Sequence, residues 1–102
     1  MSSDARPEPA EAVASAVLAV PGISALHAGV LGEAATYLPG RRVNGVQIRD
    51  DECEVHVVLD WGVPVLETAD RVRAAVEELV EGPVHVTVED IAAPGEPSGP
   101  GA

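Results

Sequence analysis

Three histidines, His27, His56 and His85, and a single cysteine, Cys53, are the side chains of this chain best suited to hold a metal ion or move a proton near neutral pH. The alternation around His56 and His85 points both to the same face of a sheet, and His27 can join them there. A metal site would need their strands to be neighbours. Cys53 has the parity of Val55 and points to the opposite face, so the softest ligand is removed and Glu54 or Glu89 would have to complete the shell. Solvated strand histidines are the plainer reading. A milder version is a surface that gains positive charge near pH 6.5, roughly where an unperturbed imidazole titrates. A small metal- or ligand-binding domain using His56 and His85 is therefore the alternative function to weigh.

Other chemistries find less support. The serines at 2, 3, 15, 24 and 98 include no Gly-x-Ser-x-Gly elbow, and Cys53 has no base beside it in sequence. The absence of lysine removes the phosphate-binding loop. Asp50, Asp51, Glu52 and Glu54 read as a hydrated hairpin turn in preference to a catalytic or calcium-binding cluster. No cofactor is expected. Arg41-Arg42 is the one concentration of positive charge in an acidic chain. It reads either as ordinary solvated charge or as a contact for an acidic patch on another copy.

The elements that position these residues are legible from periodicity. Pro9 to Val20 predicts a helix with Val13, Val17 and Val20 on one face and Pro21-Gly22 as its stop. Ile23 to Ala28 predicts a strand, and the segment VLGEAATYLPGRR reads as a loop with one helical turn at most. Val46 and Ile48 alternate with Gln47 and Arg49, and Cys53 to Trp61 alternates again after the acidic turn, which predicts a hairpin. On its second strand Val55, Val57, Leu59 and Trp61 share the packed face; Glu54, His56, Val58 and Asp60 share the wet one. Val65, Ala69, Val72, Val76 and Leu79 recur at helical spacing, with Glu67–Arg71 and Arg73–Glu77 as i,i+4 pairs on the polar side. Gly82-Pro83 ends that helix, and Val84, Val86 and Val88 alternate with His85, Thr87 and Glu89 in a last strand.

This order, α-β-β-β-α-β, predicts an α+β two-layer open-faced sandwich with two helices on one face of a mostly antiparallel sheet. A single domain is expected over residues 8–91, between disordered tails at 1–7 and, rich in Pro and Gly, at 92–102. The exposed sheet face, with Gln47, Arg49, His56, Val58 and His85, joins Arg41 and Arg42 as the expected contact surface.

Composition narrows the partners. The chain has 102 residues, 17 Asp and Glu against six Arg, and a formal charge of −11. Nucleic acid is an unfavourable partner, since phosphate binding needs clustered cations and single-strand binding adds aromatic platforms. Anionic lipid is disfavoured on the same ground. One cysteine rules out an internal disulfide framework, so a reducing cytoplasmic setting is expected. The start, MSSDARPEPAEAV, lacks the basic end and apolar run of a signal peptide, and no stretch approaches the roughly 18 apolar residues of a membrane span. With no Phe and only Tyr37 and Trp61 as aromatics, the core must be built from Val, Ala, Leu and Ile.

From Val20 to Ile91 the chain resembles the alkaline-shock-protein family of Gram-positive bacteria. The resemblance lies in Pro21-Gly22-Ile23 before the first strand, Gly45-Val46 opening the second, and Trp61-Gly62 leading through a Val/Pro turn into the Val-rich helix. Trp61 stands where many relatives have Tyr. The composition, without Lys and rich in Ala, Val, Gly and Pro, looks like that of a small actinobacterial member. The resemblance implies a non-enzymatic envelope stress response protein, cytoplasmic, self-associating, and held near the membrane by a membrane-embedded anchor protein. It implies no active site.

Overall fold

The computed structural model describes residues 8–94 of the chain. Its elements are α1 (Pro9–Leu18), β1 (Ile23–Leu26), β2 (Ala35–Leu38), β3 (Arg41–Asn44), β4 (Val46–Arg49), β5 (Glu52–Leu59), α2 (Val65–Glu77) and β6 (Val84–Ile91). The α+β architecture expected from the sequence is present, and both helices cover one face of the main sheet. The expected tail at 1–7 lies outside the described residues, as does most of 92–102. At its start, the Ala92 N–H donates to the Leu59 carbonyl, so sheet bonding runs one residue past the expected domain boundary.

β5 is the centre of the sheet. Along one edge it pairs in parallel with β6, which the α2 crossover permits. Along the other it pairs antiparallel first with β1 and then with β4, Ile23 opposite Leu59 and Arg49 opposite Glu52. β1 and β4 thus form one interrupted strand: the His27 N–H donates to the His56 carbonyl, and the His56 N–H donates to the Gly45 carbonyl. Residues 28–44 are inserted at the break.

That insertion is where the structure departs most from the sequence expectation. The expected loop is a second, two-stranded antiparallel sheet, β2–β3, joined by Pro39-Gly40. Proline followed by a glycine at φ +76° has the signature of a type II turn. Each strand is only four residues long, and RRVN reads as polar, so alternation alone did not reveal them.

The core is a valine cluster. Val13 and Val17 of α1, Val72 and Val76 of α2, and Cys53, Val55, Val57 and Leu59 of β5 are all fully buried. On α2 the buried line is Thr68, Val72 and Val76 at i, i+4, i+8, whereas the expected edge positions Val65 and Leu79 are 40% and 49% exposed. Glu67–Arg71 forms as expected; Arg73 instead pairs with Asp70, one turn back at 2.7 Å. Trp61 lies beyond the strand and is exposed.

Val58 also departs from expectation, since it has the parity of the wet face and yet is buried. Both neighbouring strands bulge at its level. Ser24 is an extra residue between the pairs Ile23–Leu59 and Ala25–Val58, and Glu89 is an extra residue between Val57–Val88 and Val58–Asp90. Two residues stand against one on each side of Val58, and the local twist of a bulge draws them around it. Val58 is therefore no surface contact. None of the helices among the described residues is long and apolar enough to cross a membrane.

Candidate functional site

The β6 bulge has a second effect, because it aims the Glu89 carboxylate along the sheet face onto His56. His56 Nδ1 and Glu89 Oε2 are 2.5 Å apart, and Glu54 Oε1 lies 3.5 Å from the other ring nitrogen. The imidazole is 12% exposed, clasped between two carboxylates. His85, opposite Glu54 in the β5–β6 register, is exposed and turns instead to Glu52, 3.1 Å away. His27 accepts the Gly29 N–H on Nδ1 at 2.9 Å. The three histidines thus have three separate partners. Among the described residues no three of His, Cys, Asp and Glu are grouped to hold a metal ion, and Cys53 lies buried on the opposite face, where burial pushes its thiol up.

Two carboxylates near this cluster, Glu33 and Glu54, lie below their ordinary range. The Glu33 carboxylate lies below its ordinary value because backbone N–H groups, its own and that of Leu31, donate to it, with His56 and His27 adding to the effect. For Glu54, partial burial acts upward, but hydrogen bonds from Arg49 and His56 outweigh it and the net direction is down. A carboxylate whose pKa is depressed by folding stabilises the fold above its unfolded value, here 4.5, and loses that contribution as pH falls through the folded value. Acid titration of thermal unfolding should therefore show a flat Tm above pH 5 or so and a decline below about 4.5. A Tm that rises on acidification would contradict these contacts.

The segment joining β1 to β2 is built as carefully as the sheet. The Ala34 N–H donates to the Ala28 carbonyl at 2.7 Å, the Gly32 N–H to the Gly29 carbonyl at 3.2 Å, and the Leu31 N–H to Glu33 Oε1 at 2.9 Å. Gly29 has φ +88°, and a Cβ there would fall 2.5 Å from the Glu33 carboxylate. With its backbone fixed in this way, the loop holds Val30 and Leu31 out into solvent, 85% and 91% exposed. Two adjacent large aliphatics at that exposure have no part in the fold. The signal in the sequence is Gly29-Val30-Leu31-Gly32, two apolar residues between two glycines inside a segment whose pattern is otherwise irregular.

The hairpin extends this surface. Cross-strand partners share a face, so Tyr37 and Arg42 stand together on the outer face, with the guanidinium 6.0 Å from the ring centroid; Tyr37 is 67% exposed. The tyrosine hydroxyl reaches toward Gly32 in the loop. On the inner face Leu38 and Thr36 lie toward β4 and α1, and Arg41 makes a two-pronged ion pair with Glu11 of α1, 2.5 and 3.2 Å.

The expected contact residues are thereby sorted. Arg41 braces the hairpin against α1 although half of its side chain stays accessible. Gln47 donates to the Ala35 carbonyl and accepts from Arg49, which also holds Glu54; these two tie β4 to its neighbours. His56 is enclosed and His85 is exposed. Arg71 and Arg73 are paired along α2. Among the described residues Arg42 is the one arginine with no carboxylate partner. In a chain of charge −11 that is a conspicuous vacancy, and it lies beside Tyr37. Comparisons with models of known protein families, with characterised proteins and with solved structures found no match.

Proposed function

We propose that the chain is a non-enzymatic adaptor that works by protein–protein contact through the outer face of its inserted hairpin. The observation that carries this reading is the grouping of Val30, Leu31, Tyr37 and the unpaired Arg42 on a hydrogen-bonded support. Aromatic and arginine side chains are the residues most enriched at interface hot spots, and aliphatics fixed in a bound-like position lose little entropy on docking. The His56 imidazole is held by Glu89 and Glu54 of its own chain.

The resemblance to alkaline shock proteins supplies the setting: envelope stress response and cell-envelope homeostasis in a Gram-positive, actinobacterial cytoplasm, with self-association and a membrane-embedded anchor protein as the expected modes of contact. The charge disfavours nucleic acid as a partner. The Val30→Ser/Leu31→Ser variant tests the reading, because both side chains are exposed and the fold should retain its Tm. In the producing bacterium this variant should be as sensitive to alkaline or cell-wall stress as a strain lacking the protein. Wild-type resistance from a folded variant would sink the proposal.

A further inference from the structure

β6 borders the main sheet, and among the described residues it pairs with β5 alone. The phase of that parallel ladder fixes which of its backbone groups are used. Cys53 stands opposite Val84 and its N–H donates to the Pro83 carbonyl; at the far end the Ala92 N–H donates to the carbonyl of Leu59, which stands opposite Ile91. A residue in a parallel ladder bonds to the two residues that flank its partner, so His85 and Thr87 turn their backbone groups to β5. The N–H and C=O groups of Val84, Val86 and Val88 therefore point out of the sheet edge. We propose that this edge takes up an extended, basic segment of another protein as an added strand. It is a second surface, independent of the loop and hairpin.

Exposed strand edges are ordinarily blunted by Lys, Pro, short length, a bulge or a covering segment. β6 is eight residues long, VHVTVEDI contains neither Lys nor Pro, and its bulge at Glu89 comes after the three valines. The border at β4 is treated differently, because the inserted hairpin lies against it: Thr36 Oγ1 donates to the Val46 carbonyl and the Gln47 amide to the Ala35 carbonyl. Side chains select the chemistry of the partner. On the helix-covered side Val86 and Val88 are only partly buried, which leaves apolar surface for every second side chain of an added strand. Beyond Arg73 the chain has no Lys or Arg, while Glu78 and Glu81 precede β6 and Glu89 and Asp90 close it. Cationic side chains between the apolar ones complement that field. A second copy would bring its own acids to the same edge, and residues 95–102, GEPSGPGA, carry prolines and glycines that make a poor ladder.

Titration calorimetry of the full-length protein with three synthetic octapeptides, alternating Val-Arg, Val-Glu and Pro-Arg, tests the proposal. The Val-Arg peptide should bind, the Val-Glu peptide at least roughly tenfold more weakly because like charges meet, and the Pro-Arg peptide weaker by about the same factor because proline lacks the ladder donor. By NMR, the amide protons of Val84, Val86 and Val88 should gain exchange protection with the Val-Arg peptide, whereas those of His85 and Thr87, already bonded to β5, should not change. Val86→Pro removes an outward N–H without touching a bond to β5, and should abolish binding at an unchanged Tm. Should that variant fail to fold, the amide pattern of the wild type decides. Failure of the Val-Arg peptide to bind would overturn the inference, and so would equal binding of the Val-Arg and Pro-Arg peptides, which would reduce the effect to charge. Val86 and Val88 amides that become protected in the protein alone as its concentration rises would overturn it too, since a second copy then holds the edge. None of these results bears on the Val30→Ser/Leu31→Ser strain, whose substitutions leave β6 intact.

Discussion

Gly45→Ala should lower stability by about 3 kcal/mol, enough to move the urea midpoint by roughly a molar unit or more. The cost has two parts. Gly45 has φ +80°, where an L-residue loses roughly 1–2 kcal/mol. In addition, a Cβ there would lie 2.8 Å from the His56 carbonyl oxygen and the Leu26 Cβ and 2.9 Å from the His27 nitrogen. Two of those neighbours are backbone atoms of the central pairing, which cannot move aside without breaking the bonds that bridge the interrupted strand. Gly40 is the internal control: its φ of +76° is similar, but a Cβ would meet nothing within 4 Å, so Gly40→Ala should show the conformational part alone. Equal effects at the two positions would mean that the close approach at Gly45 is wrong.

Leu59→Ala should cost about 3–5 kcal/mol, the upper part of the range for buried leucines. Leu59 is fully buried and is the largest side chain at that burial. Its neighbours in the core are chiefly valines, whose branched Cβ restricts them to few rotamers, so they cannot swing in to close the space left behind. For a domain of ordinary stability, roughly 5–15 kcal/mol, the loss is a large fraction of the whole. Leu66, 81% exposed on α2, provides the comparison, and Leu66→Ala should stay within about 0.5 kcal/mol of wild type. Chemical denaturation of the two variants side by side decides the matter; a small effect at Leu59 would place the core elsewhere.

What was legible in the sequence follows the strength of the repeating signal. The eight-residue alternation of β5 and the valines of α2 each carry several matches to one period, and the fold class rests on them. Thr68 was hidden because a hydroxyl reads as polar, although its methyl packs against the turn at Gly22. The bulges at Ser24 and Glu89 were hidden because neither residue type marks a bulge, and so the burial of Val58 and the reach of Glu89 to His56 could not be foreseen from parity. The placement of His56 and His85 on one face was legible; their assignment to different carboxylates was not. The tip and the hairpin outer face escaped because their elements are short, whereas the basic pair at 41 and 42 was singled out but turned out to point two ways, one arginine inward to Glu11 and one outward beside Tyr37.

The break between β1 and β4 divides the molecule into parts that can change at different rates. The chain leaves the sheet after His27 and returns at Gly45 to the same line of pairing, so the two ends of the inserted segment are held close together whatever lies between them. Closing a longer or shorter excursion between fixed ends adds little entropy cost. Of the inserted residues, Val43 is the one that joins the central core cluster, with Leu38 packed against it. Apart from Val43 and Leu38, the segment from 28 to 44 is therefore free to change in sequence and length while the rest of the valine core is inherited intact.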